Sequence, residues 1–235
     1  MLNSRFFCGS LFFLSSLFFG SCAEDVEPVC DELPTSFMPS DFQALFLELA
    51  FGQEFGKASN RLRKWNMPIK IFIEGNPTAN ILDEVDLVIS ELYDLSTTIA
   101  ISKVADKTQA NLILFFGAKE VYVDLIEPKA AGIAEGNSGF ATIAWNNNNE
   151  IFRASACVDI VNFDGEDFIR HVVREELAQT LGLINDSETE ENSIFYQFTN
   201  DVTAYSETDK AMITFMLGND LQPGMCQAEV MEVVE

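Results

Sequence analysis

The chain of 235 residues contains a single histidine, His171. Any mechanism that needs two or three imidazoles, ordinary zinc proteolysis among them, is excluded before a motif is read. Basic side chains are also scarce: Lys and Arg total 14 against 37 for Asp and Glu, a formal net charge of −23. A surface that acidic repels phosphate backbones, so nucleic acid is not an expected partner. There is no low-complexity tract and no internal repeat, and 48% of the residues are hydrophobic. That composition belongs to a globular domain and excludes a disordered or fibrous chain. No G-x-S-x-G elbow is present, and no P-loop or dinucleotide fingerprint precedes a helix.

The N-terminus carries the first positive signal. Residues 1–21 hold one charged side chain, Arg5, followed by an apolar run from Phe6 to Phe19 broken by Ser and Gly. As a helix that run is about 21 Å long, short for a ~30 Å hydrocarbon core. With the small residues Gly20 and Ser21 it predicts an export signal over residues 1–21. Phe19-Gly20-Ser21-Cys22 resembles a bacterial lipobox, with Phe where Leu is usual. The resemblance implies cleavage before Cys22 and acylation of its sulfur and new amino group by palmitate-type chains. The protein would then be held on a membrane of the bacterial cell envelope, at the outer membrane's periplasmic face or on the cell surface. Glu24 and Asp25 resemble the acidic surface-export signals of some Gram-negative lipoproteins.

Residues 22–39 are polar and acidic, and Pro28, Pro34 and Pro39 each disfavour helix in the residue before, which predicts a tether. The body is expected over residues 40–226, with an acidic tail over 227–235. Exported proteins keep disulfides, and Cys30, Cys157 and Cys226 allow three single pairings with one thiol left over. Cys157 lies in an alternating run and reads as a small core residue. A Cys30–Cys226 bridge would staple the two ends of the body.

Within the body, Phe42, Leu45, Phe46, Leu49 and Phe55 recur at helical spacing. Ile69 to Ile73 is a β-branched run ended by a Gly-Asn-Pro turn, and Ile81 to Leu95 is an amphipathic helix. Ile99 to Ile101 and Ala110 to Phe116 read as strands, the second buried on both faces. A Gly-containing loop is expected over about 117–138, with a turn of helix or a short strand around Val121 to Leu125. Gly139 to Trp145 and Ile151 to Ile160 flank four Asn residues and read as a hairpin. Helices are expected over about 166–181, stopped by Gly182, and over about 207–217. The order makes an α+β domain.

The helix ending at Gly182 is the most informative. At about 100° per residue, Phe168, Ile169, Val172, Val173 and Leu177 share one half, while Arg170, His171 and Arg174 fall on a face expected to be solvated. Glu176 and Gln179 land inside the apolar half, and Glu175 on its border. A carboxylate facing a core is costly unless hydrogen-bonded, paired or protonated. Glu176 is therefore the first candidate for chemistry; the alternative is a structural carboxylate served by backbone amides or by a hydroxyl such as Tyr196 or Tyr205. The acid-rich run Asp186 to Glu191 lacks the alternation and central Gly of a calcium loop and reads as solvated.

The stretch Glu175-Glu176-Leu177-Ala178-Gln179-Thr180-Leu181-Gly182-Leu183-Ile184-Asn185-Asp186 resembles the zinc motif of metzincin metallopeptidases, H-E-x-x-H-x-x-G-x-x-H. Ser193-Ile194-Phe195-Tyr196 is similar to the Met-turn, with Phe in the Met position, and Ser206-x-x-Asp209 resembles the opening of that group's last helix. The same E-E-x-x-Q-x-L-G-L, N-D, S-I-F and P-G-M elements resemble a bacterial family catalogued as domain of unknown function 2927, whose members look like zincins without their ligands. Glu175, Gln179 and Asn185 stand where three histidines would bind zinc, and an amide oxygen is a poor substitute for imidazole. The resemblance thus implies a zincin-like α+β domain with a mixed twisted sheet, no metal or other cofactor, and a catalytically degenerate site. It would bind a peptide, glycan or envelope protein, with strand Gly139 to Trp145 as the edge to which a peptide adds. The other reading is a non-standard hydrolase in which Glu176 acts as general base on water.

Overall fold

The computed structural model describes residues 30, 33, 40–52, 58–198 and 202–234. The export signal, Cys22, nearly all of the tether and Phe55 lie outside the described residues. In chain order the elements are α1 (Asp41–Phe51), β1 (Lys64–Trp65), β2 (Ile69–Gly75), α2 (Ala79–Leu95), β3 (Ile101–Lys103), β4 (Leu112–Gly117), α3 (Lys119–Leu125), α4 (Ala131–Ala134), β5 (Gly139–Trp145), β6 (Glu150–Asp159), α5 (Glu166–Gln179), α6 (Glu207–Leu217) and α7 (Gln227–Val233).

The β-branched and aromatic runs make one twisted sheet in an α+β fold. β3, β2, β4 and β6 lie side by side and parallel, and β1 pairs in parallel with the first two residues of β6. A parallel strand is covered on both faces and needs apolar side chains pointing both ways. In β4, Leu112, Leu114 and Phe116 join the main core with residues of α2, α5 and α6. Phe115 points to the opposite face, into a smaller cluster with Tyr122, Ala130, Ala134, Phe140 and Cys157. Burial pushes the Cys157 thiol far above its usual range, so it stays a packed, protonated side chain. The hairpin around Asn146–Asn149 brings β5 back antiparallel to β6, Gly139 opposite Val158 and Thr142 opposite Ser155. Among the described residues no strand pairs with the outer edge of β5.

The two ends of the body close on each other. Ser40 and Gln43 form a capping box that starts α1. Residues 227–233, expected as part of an acidic tail, form helix α7, whose Val230 and Met231 are buried in the main core. Gln43 donates from Nε2 to the Val234 carbonyl at 3.1 Å. Cys30 and Cys226 are joined by a disulfide across a sequence separation of 196.

Candidate functional site

α5 is placed by its two ends. Gly165 (φ +108°) precedes it, and Glu166 and Asp167 in the first turn complement the helix dipole. At the other end the chain tightens, Leu181 N–H donating to Ala178 and Gly182 N–H to Gln179. Gly182 then adopts φ +114°, and a Cβ there would lie 2.6 Å from the Arg63 carbonyl oxygen, so only glycine makes this turn without strain. The turn carries residues 185–188 to the C-terminal end of α1. There Asn185 N–H donates to the Leu49 carbonyl, and Ser187 Oγ donates to Glu48 Oε2 at 3.1 Å.

The face of α5 expected to be solvated is largely covered, by α2 at Arg174 and by the segment at Val202 beside His171. Arg174 is 2% exposed; its guanidinium bonds Glu84 at 2.7 Å and also pairs with Glu91, both on α2. Arg170 pairs with Glu84 and Glu166. His171 is 7% exposed, not an open surface residue. Its Nδ1 sits 2.7 Å from the Val202 carbonyl, which can only accept, so Nδ1 carries a proton. Nε2 then faces Glu175 Oε2 at 3.5 Å. Burial pulls the His171 pKa down, but Glu175 and the Val202 carbonyl more than offset it, leaving it above the usual imidazole value.

Beside that face lies a cleft of about 320 Å³, between α5, the Gly136–Gly139 approach to β5 and the loop segments at Asp186 and Tyr196–Phe198. His171, Glu175, Glu176 and Gln179 all line it. Glu176 is 4% exposed and sits directly under the head of β5: a Cβ on Gly139 would lie 2.5 Å from Glu176 Oε1 and 2.3 Å from Val172 Cγ1. Tyr205, expected as a partner of Glu176, donates to the Arg174 carbonyl at 3.0 Å instead.

Asn185, read as the third ligand position, does not line the cleft. Its amide lies against Gly52 at the end of α1 and donates to the Asp186 carbonyl. Asp186 takes the place in the cleft, its Oδ1 accepting from Gln179 Nε2 at 2.8 Å. Burial, with Glu175 nearby, pushes the Asp186 carboxyl up to about 7. Asp186, expected as part of the solvated run Asp186 to Glu191, is instead half-buried in the cleft. The wheel could not place it because it follows a left-handed turn, and its sequence signal was the N-D element beside the motif. The Ser193–Tyr196 segment is a tight turn beneath this loop. Ser193 Oγ and Ile194 N–H both bond Asp209, Phe195 is fully buried, and Ser187 N–H donates to the Phe195 carbonyl. Only Tyr196 of that turn reaches the cleft.

A zinc ion of the kind the motif implies does not fit these residues. The donors are one imidazole that faces the Glu175 carboxylate, one amide that donates to the Asp186 carboxyl, and carboxyls already engaged in this way. Among the described residues no group of three or more His, Cys, Asp or Glu is arranged to hold a metal. What remains is a polar, acid-lined cleft at the head of a sheet edge that no described strand pairs with.

The family described as "Protein of unknown function (DUF2927)" matches residues 39–235, and the chain belongs to that family. No curated protein matches the chain.

Proposed function

From that family membership and this geometry, we propose that the domain is a zincin-like, catalytically degenerate body that binds an extended peptide as an added strand on β5. One observation carries the reading: no described strand pairs with the outer edge of β5, and its first residue, Gly139, packs on Glu176 in the cleft. Main-chain hydrogen bonds to such an edge supply affinity, and a pocket beside it supplies specificity. The order of elements, a parallel sheet with one antiparallel edge strand followed by the motif-bearing helix, supports the zincin-like reading. Hydrolysis by Glu176 would need an electrophile to activate a water or a carbonyl, and the donor set does not supply one.

The register says where to test the edge. Asp159 N–H donates to the Ser138 carbonyl, so the hydrogen-bonded pairs are Ser138–Asp159, Phe140–Cys157 and Thr142–Ser155. The N–H groups of Gly139, Ala141 and Ile143 therefore point outward. Ala141→Pro removes an outward donor without touching the β5–β6 ladder, as proline is tolerated on edges. On an array of short peptides the parent and Glu176→Gln bind a common subset, whereas Ala141→Pro, with an unchanged circular dichroism spectrum, loses it. Binding indifferent to Ala141→Pro, or no peptide bound by the parent, refutes the proposal.

The body is presented at the envelope membrane through acyl chains on Cys22, each buried CH₂ contributing about 0.8 kcal/mol. Cys22→Ser yields mature protein in the soluble fraction, or unprocessed precursor. A variant that is still processed and membrane-bound would refute lipid anchoring.

A further inference from the structure

The cleft beside β5 is rich in acceptors and poor in donors. Gln179 is 3% exposed and spends its Nε2 on Asp186, which leaves its Oε1 facing the cleft without a donor from any described residue. His171 spends its Nδ1 proton on the Val202 carbonyl and turns Nε2 to Glu175. Glu175, Glu176 and Asp186 add three carboxyls, and among the described residues no Lys or Arg lines the space. The guanidinium groups on the same helix, those of Arg170 and Arg174, are held by Glu84, Glu91 and Glu166 outside the cleft.

At the mouth stand aromatic rings. Tyr196 and Phe198 meet edge to face with centroids 5.3 Å apart, and Phe198 is 56% exposed, although a large apolar ring gains nothing from water. Aromatic faces attract cations, and carboxylates bond them with charge assistance. The volume of about 320 Å³ stands at the small end of ligand cavities and suits one long side chain. Its wall at Gly136–Gly139 runs directly into β5, so a strand paired on that edge passes over the opening.

We propose that this cleft is a specificity pocket for a basic side chain, lysine or arginine, carried by a peptide paired on β5. The proposal rests on the edge-strand reading and adds the chemistry of the residue recognised. The bound cation supplies donors to Gln179 Oε1 and to the carboxyls of Glu175 and Asp186, while Tyr196 and Phe198 cover its alkyl stem or guanidinium plane. It also relieves the mutual repulsion of those carboxyls.

Fluorescence anisotropy with the full-length domain tests this using blocked heptapeptides of alternating Thr and Val that carry Lys, Arg, norleucine or Glu at the centre. The Lys or Arg peptide binds about tenfold or more tighter than the norleucine peptide, and the Glu peptide binds weakest. The advantage of Lys and Arg over norleucine shrinks with added salt and disappears in Glu175→Gln and in Asp186→Asn, each confirmed folded by thermal melt. If norleucine binds as tightly as Lys and Arg, and all three are lost in Ala141→Pro, the edge stands and the basic pocket is refuted. If no peptide binds the parent, both readings fall together.

Discussion

Replacing Asp186 by Asn removes one carboxyl from the cleft and leaves its shape and its bond to Gln179 in place. In the folded protein burial, then the nearby Glu175 carboxylate, pushes the Asp186 pKa up to about 7, against 3.8 for a free side chain. Between those values the folded state holds a proton that the unfolded chain releases. Stability from this group is therefore complete below about pH 4 and is lost as pH rises through about 7. Raising the carboxyl from 3.8 to about 7 is worth at most ~4 kcal/mol. The carboxyl is half-buried and borders an open cleft, so solvent screening reduces that to roughly 1–2 kcal/mol. His171 adds a change of the same sign, because its raised pKa means that stability is lost as it deprotonates. Urea unfolding measured from pH 4 to 8 should show the parent losing that amount. Asp186→Asn should be flatter and more stable than the parent at pH 8, with the two converging near pH 4. A variant that loses as much stability as the parent over this range refutes the assignment of the titration to Asp186.

Gly139→Ala forces a methyl to within 2.5 Å of Glu176 Oε1 and 2.3 Å of Val172 Cγ1; it should cost about 1–3 kcal/mol by overpacking, and a denaturant midpoint equal to the parent's would show that the strand head moves freely. Arg174→Met leaves the buried Glu84 carboxylate with only its longer, 3.5 Å pairing to Arg170. It should cost about 3–5 kcal/mol, largely recovered when Glu84→Leu is added, and a double variant no more stable than the single would contradict that account. Cys226→Ser opens a loop with a sequence separation of 196; the chain-entropy view sets its effect at up to about 5 kcal/mol, so a melting temperature unchanged by the substitution and by reductant would mean the core alone holds the ends together.

Local patterns were readable where one interaction dominates. The run Leu112–Phe116 demanded cover on both faces and has it. The apolar stripe of α2, the strand-Asn-strand hairpin and the Gly182 stop follow from periodicity and backbone sterics, which act within a few residues. The short helix α3 lies where a turn of helix or a short strand was expected. A strand placed at Ile99 begins two residues later, at Ile101. Glu176 on the inner side of α5 was also legible, because a helix wheel needs only one element.

Partners brought from elsewhere in the chain could not be read this way. The wheel assigned Arg174 to water because an arginine is usually solvated. α2 instead supplies Glu84 and Glu91, and a paired guanidinium tolerates burial that an isolated one does not. The motif pointed to Asn185, yet the left-handed turn at Gly182 and the Leu49 carbonyl on α1 direct Asn185 away and put Asp186 in the cleft. The acidic C-terminal stretch gave no sign of α7, whose Val230 and Met231 need the core to bury them. The sequence by itself determined the acidic character, the α+β elements and the helix that carries Glu175, Glu176 and Gln179, since these depend on composition and short-range geometry. Only the tertiary structure decided which side chains share the cleft and that β5 opens beside it, because both depend on contacts between segments far apart in the chain.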